Sequence, residues 1–254
     1  MIKAGIICGC LPTQLNIEPG DLYHQLIAQK IRSQFGVGLD VVSIWYTTLA
    51  ESTGKVLELI AKENPDLVLY HVRPDPYLRI SKLFVRYKDL KDQFRIKFNF
   101  NGNDQNISDG NPTIRTRRGN KKKSGFNIFL RELNYRIGYI AGINTIAIKK
   151  EFDTLKEISS YCRDKDLFLV IIGPASRPRS KMEEFLLQRL DESLFGFFRS
   201  ADVNYVRCFG ATGKNGESLF FEDKVHVNRD GHKRFSELLY PEIEKYITNN
   251  RSQR

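Results

Sequence analysis

No stretch of this 254-residue chain holds the roughly 20 consecutive apolar residues that a bilayer-spanning helix requires. No secretory leader is expected. Met1-Ile2-Lys3-Ala4-Gly5-Ile6-Ile7 runs straight into an apolar strand, and Gln14 and Asn16 follow too early for a signal-peptide core. The expected compartment is therefore the cytoplasm. Cysteine is scarce: Cys8, Cys10, Cys162 and Cys208 fit neither a zinc ribbon nor the disulfide framework of a small secreted domain. Cys8-x-Cys10 lacks the two-residue spacer of a redox or metal pair, so free thiols are expected, with no metal and no cofactor. No internal repeat is present.

What the chain has in excess is positive charge, a formal +10 with an isoelectric point near 9.4. Much of that excess is local: Arg115, Arg117, Arg118, Lys121, Lys122 and Lys123 share one polar segment. Without interleaved aromatics the segment offers no stacking platform for bases. It reads as a solvated loop or as a contact for an anionic partner, whether substrate, carrier protein or nucleic acid. Nucleic-acid binding through Arg115–Lys123 would show as affinity falling steeply with salt.

Apolar periodicity orders the rest. Short apolar runs mark strands at Ile2–Cys8, Leu39–Trp45, Asp66–His71, Leu167–Ile172 and Val203–Cys208. Between them, helical spacing predicts helices over Leu22–Phe35 (capped by Asp21), Thr48–Glu63, Pro76–Phe94, Phe126–Ile143, Thr145–Cys162, Met182–Ser200 and from Gly231 onward. The stretch at about 99–125 is poor in apolar residues and reads as an excursion within one domain spanning 1–254, not as a linker. Alternation of strands and helices predicts a doubly wound, mostly parallel five-stranded α/β fold. Ligands of such folds sit beyond the carboxyl ends of the strands. Gly9-Cys10-Leu11, Tyr46-Thr47, Arg73-Pro74-Asp75 and Pro174 to Arg177 are therefore the loops to inspect.

Near the end stands Asp223-Lys224-Val225-His226-Val227-Asn228-Arg229-Asp230-Gly231-His232. An acid three residues before a histidine lets a carboxylate fix the imidazole tautomer, leaving the other ring nitrogen as a base. Asp-x-x-His followed by x-Asn-x-x-Gly-His resembles the last block of the SGNH (GDSL-type) hydrolases, and the order of elements resembles theirs over nearly the whole chain. The resemblance implies a flavodoxin-like three-layer α/β/α domain, with Asp223 as orienting acid and His226 as base.

The family's other motifs match unevenly. Its Gly-Asp-Ser nucleophile block can be laid on Cys8-Gly9-Cys10-Leu11, placing Cys10 at the nucleophile. Laid instead on Gly9-Cys10-Leu11, it puts Leu11 there and leaves the triad inactive. Tyr46 stands near the family's oxyanion Gly, and Arg73 and Asp75 stand where Gly-x-Asn is expected. An ionised Asp75 cannot donate to an oxyanion, whereas Arg73 could supply positive charge or bind an anionic substrate group. An Arg73–Asp75 ion pair that only stiffens the turn is the alternative. The resemblance thus implies an acyl hydrolase or acyltransferase of Cys-His-Asp type acting on a small or carrier-bound ester or thioester. A catalytically inactive binding protein of the same fold is its rival. His24, His71 and His232 read as structural.

Overall fold

The computed structural model describes residues 1–8, 17–45, 53–74, 77–78, 125–199, 201, 203–211, 219–222, 224 and 226–252. The expected helix over Pro76–Phe94, the polar stretch at 99–125 and the basic run Arg115–Lys123 lie almost wholly outside the described residues.

Strands β1 (Ile2–Cys8) and β2 (Leu39–Trp45) carry the bounds read from their apolar runs. β3 (Leu67–His71), β4 (Phe168–Ile172) and β5 (Asn204–Val206) are each shorter than expected. All pairings are parallel, in the order β2-β1-β3-β4-β5. The register sets Cys8 beside Trp45, His71 beside Ile172 and Ile172 beside Val206, so the carboxyl ends of the strands form one edge.

The period-2 alternation of strand side chains divides the core in two. Ala4, Ile6, Cys8, Leu67, Leu69, Val170 and Ile172 face α1 (Tyr23–Phe35) and the terminal helix α6 (Arg229–Ser252). Ile7, Val68, Tyr70, Leu169 and Ile171 face α2 (Thr53–Glu63), α4 (Ile143–Asp164) and α5 (Lys181–Arg199). This is the expected three-layer, flavodoxin-like α/β/α arrangement. Helix α3 (Gly125–Ile140) packs on α4 and α5 outside these layers, with Tyr135 turned into the core. Among the described residues no helix is long and apolar enough to cross a membrane.

Two helix starts differ from the sequence reading. α1 begins at Tyr23, and Asp21 is no side-chain cap: it ends a short 3-10 turn, Pro19–Asp21, and pairs with Arg229 at 3.0 Å. The first helical N–H, that of Tyr23, donates instead to His232 Nδ1 at 3.2 Å. α6 starts at Arg229, ahead of Gly231, because Asn228 caps it from one position earlier.

Candidate active site

The loop that carries His226 is built by short-range bonds. Phe220 and Val227 form an antiparallel bridge, the Phe221 N–H donates to the His226 carbonyl at 2.8 Å, and the Asn228 N–H donates to the Leu219 carbonyl at 3.0 Å. At the turn, Lys224 takes φ 55° and its N–H donates to the Phe221 carbonyl at 2.8 Å. Val227, immediately after His226, is buried in the same apolar cluster as Cys8 and Cys208, which end or follow β1 and β5. Six residues on, His232 stacks on Tyr23, whose hydroxyl bonds to His71 at the carboxyl end of β3, so the half-buried His226 stands near this edge, on the α1–α6 side.

The residues after His226 explain why the block has its composition. Asn228 Oδ1 accepts from the Gly231 N–H at 3.0 Å and the Asn228 carbonyl accepts from the His232 N–H at 2.9 Å, which together open α6. A Cβ on Gly231 would collide with the Leu219 carbonyl and lie 2.7 Å from Val227 Cβ. Only glycine lets the first turn of α6 press this closely on the His226 loop. Asn228→Ala should lower stability by about 1 kcal/mol, as loss of an N-cap does; urea unfolding measures it, and an unchanged midpoint would refute the capping role.

Behind this loop lies a buried polar cluster that joins three distant parts of the chain. Tyr23 Oη and His71 Nε2 are hydrogen-bonded at 2.7 Å, and the Tyr23 ring stacks on His232 at 6.1 Å and meets His24 edge-on at 5.3 Å. Burial pulls His71 down to about 3, with His24 and His232 adding to the effect. Burial likewise takes His24 and His232 to about 4. All three are therefore neutral at pH 7, and Tyr23, pushed upward by its own burial, stays a phenol. Within this cluster His24 Nδ1 is buried without a hydrogen-bond partner.

On the opposite side of β3, Arg73 follows the strand as expected, half-buried. Its charge acts on a carboxylate that the sequence reading missed, Glu151 of α4. Glu151 accepts a hydrogen bond from Tyr70 Oη at 3.3 Å, and burial raises it to about 7 against the opposing Tyr70 hydrogen bond and Arg73 charge. The signal was present: Glu151, Leu155, Ile158 and Cys162 fall at i, i+4, i+7 and i+11, which puts an acid on an apolar stripe. After β4, Ser176 is buried, and Glu183 of α5 takes Arg179 in a forked ion pair. Beyond β5, buried Asp191 accepts from Tyr205 at 2.9 Å and from Arg207 at 2.7 Å. Both clusters tie loop to helix with paired charges.

Of the six expected site residues, His226 and Arg73 are at the carboxyl edge; Cys10, Tyr46, Asp75 and Asp223 lie outside the described residues. The described cysteines Cys8, Cys162 and Cys208 are all buried. Among the described residues no cluster of His, Cys, Asp and Glu could hold a metal ion.

No family model and no curated protein matches the sequence. Solved structures do match over nearly the full chain. A lipase from a goat rumen metagenome superposes with a TM-score of 0.58 at 10% identity, covering 95% of this chain and 97% of its own. A lipolytic protein of the G-D-S-L family from Desulfitobacterium hafniense gives 0.55 at 8% identity, covering 95% and 99%. An acetylxylan esterase from Geobacillus stearothermophilus gives 0.53 at 12% identity, covering 95% and 94%. The three-layer sheet, its strand order and these full-length superpositions give the chain the fold of the GDSL-type, or SGNH, hydrolases.

Proposed function

We propose that the protein is an SGNH-like acyl hydrolase or acyltransferase that acts on an ester or thioester. The observation that carries this reading is the placement of His226 at the carboxyl edge of a GDSL-type fold, on a loop fixed by the Asn228–Gly231 junction. In this reading Asp223 accepts from one imidazole nitrogen of His226 and the other withdraws the proton of Cys10. The Cys10 thiolate attacks the acyl carbonyl, and His226 then returns the proton to the leaving group. Water, or an acceptor hydroxyl or amine, resolves the acyl-enzyme. Arg73 supplies positive charge toward the oxyanion or toward an anionic group of the substrate, and Tyr46 and Asp75 are the other candidates for oxyanion or substrate contact.

Thiol reactivity tests the nucleophile. Burial raises the Cys162 thiol to about 12 and holds Cys208 higher still, so neither should react at neutral pH. Iodoacetamide is expected to label Cys10 first, with loss of turnover in step with labelling, and Cys10→Ala should be inactive on activated esters and thioesters. Full turnover in Cys10→Ala would eliminate the mechanism.

A second reading has its own motive in the residues at the family's oxyanion and nucleophile positions, which contain no Ser, Gly or Asn. It makes the protein a ligand-binding member of the fold without hydrolytic activity. Retained ligand binding with no turnover across ester, thioester and amide panels would favour it.

A further inference from the structure

Helix α3 turns one apolar stripe outward. Phe129, Leu133, Ile137 and Ile140 are 61%, 42%, 47% and 84% exposed, and at about 100° per residue they fall within one quarter of the helix circumference. Ile146, in the first turn of α4, extends the apolar surface at 61% exposure. Beside the stripe, Tyr139 and Phe185 meet edge-on at 5.6 Å, both also exposed, with the Arg189 guanidinium over their rings.

Around these side chains exposed cations outnumber exposed acids, although Asp153, seven residues after Ile146, shares its face of α4. Exposed Arg136 flanks the stripe, about 20° outside its arc, and exposed Lys149 and Lys150 follow Ile146 at i+3 and i+4. The one acid of α3, Glu132, turns away to accept from the Met182 N–H at the start of α5. An apolar helix face with aromatic flanks and a basic surround matches the interfacial zone of a bilayer containing anionic lipids. We infer that the α3 face, with the first turns of α4, is a docking surface for an anionic lipid membrane.

A second copy of the chain fits this face less well. From Phe129 to Ile140 the stripe runs about 17 Å and is about 10 Å wide, far below the roughly 800 Å² per partner of a stable interface. A two-fold contact would also bring two sets of Arg136, Lys149 and Lys150 into one interface. The face is a convex helix surface, without a groove to receive the side chains of an acidic protein. A fluid bilayer needs no groove.

Sedimentation with vesicles tests the inference on the full chain and without reference to catalysis. The protein is expected to bind vesicles of phosphatidylglycerol and phosphatidylcholine, to ignore pure phosphatidylcholine, and to be released by salt. Ile140→Ser with Ile146→Ser should weaken binding by about tenfold or more, because two apolar side chains no longer enter the interface. Lys149→Glu with Lys150→Glu should remove the preference for anionic lipid. Both sites are exposed, and circular dichroism would verify that the variants fold. Absence of vesicle binding, or binding unchanged in both double variants, would overturn the assignment. Dimerisation or polyglutamate binding that the Ile140→Ser, Ile146→Ser protein loses, without any vesicle binding, would overturn it in favour of a protein partner.

Discussion

Replacing His226 by alanine is expected to slow turnover of activated esters and thioesters by about 10²–10⁴-fold, the range that general acid–base catalysis contributes. Folding should be little changed, since the loop is held by backbone bonds at Phe221, His226 and Asn228 and by buried Val227, not by the imidazole alone. Gly231→Ala should reach a similar end by another route. Its methyl group would press on the Leu219 carbonyl and on Val227, a backbone that yields only if the loop or α6 moves. Overpacking of this kind costs about 1–3 kcal/mol, and a shift of about 1 Å at a catalytic group can cost about 100-fold in rate. The two variants therefore separate in one pair of measurements. His226→Ala should lose activity at a nearly unchanged melting temperature, whereas Gly231→Ala should lose both. Undiminished turnover in His226→Ala would remove the base from the mechanism. A Gly231→Ala protein with normal melting and normal turnover would show that the close helix–loop approach does not position His226.

The parts of the fold that sequence made legible are those decided by local pattern. The runs Ile2–Cys8 and Leu39–Trp45 are continuous, short and bounded by loop residues, and they are strands with those limits. The Asp-x-x-His-x-Asn-x-x-Gly-His block was legible as a unit. Its Asn and Gly prove to hold the His226 loop against α6, a role that spacing alone did not assign.

What escaped is what depends on distant partners. Asp21 looked like a cap because caps are usually local, but the N–H it would have served is taken by a histidine 209 residues away, and Asp21 is engaged with Arg229. The grouping of His24, His71 and His232 exists only because the strand order brings β3 beside β1 and sets α1 against α6. Glu151 was within reach of the periodicity. Its tie to Tyr70 and its closeness to the charge of Arg73 required the packing of α4 on β3. For the site itself, His226 and Arg73 are placed at the expected edge, while Cys10, Tyr46, Asp75 and Asp223 lie outside the described residues.

Stability should fall steeply between pH 6.5 and about pH 4, well before ordinary carboxylates titrate out. His24, His71 and His232 sit at about 4, 3 and 4 in the folded chain, against about 6.5 when unfolded. A histidine lowered by burial leaves the unfolded state with more bound protons across that window, so unfolding becomes easier as pH falls. Each contributes a slope of about 1.4 kcal/mol per pH unit. Glu151, raised to about 7, acts in the opposite sense from about pH 7 down to about 4.5, where the folded state holds the extra proton. Asp191, also raised by burial, acts with Glu151. Three histidines against two carboxyls leave a net loss of several kcal/mol, a large part of a domain's stability. The loss has a structural trigger. Once protonated, His232 Nδ1 can no longer accept from the Tyr23 N–H, and the start of α1 and the cluster around Tyr23 lose their link to α6. Urea unfolding from pH 8 to pH 4 would measure the slope, and His24→Leu should flatten it, since His24 Nδ1 gives up no hydrogen bond on replacement. A free energy of unfolding that is constant from pH 7 to pH 5 would mean that these imidazoles are not held neutral.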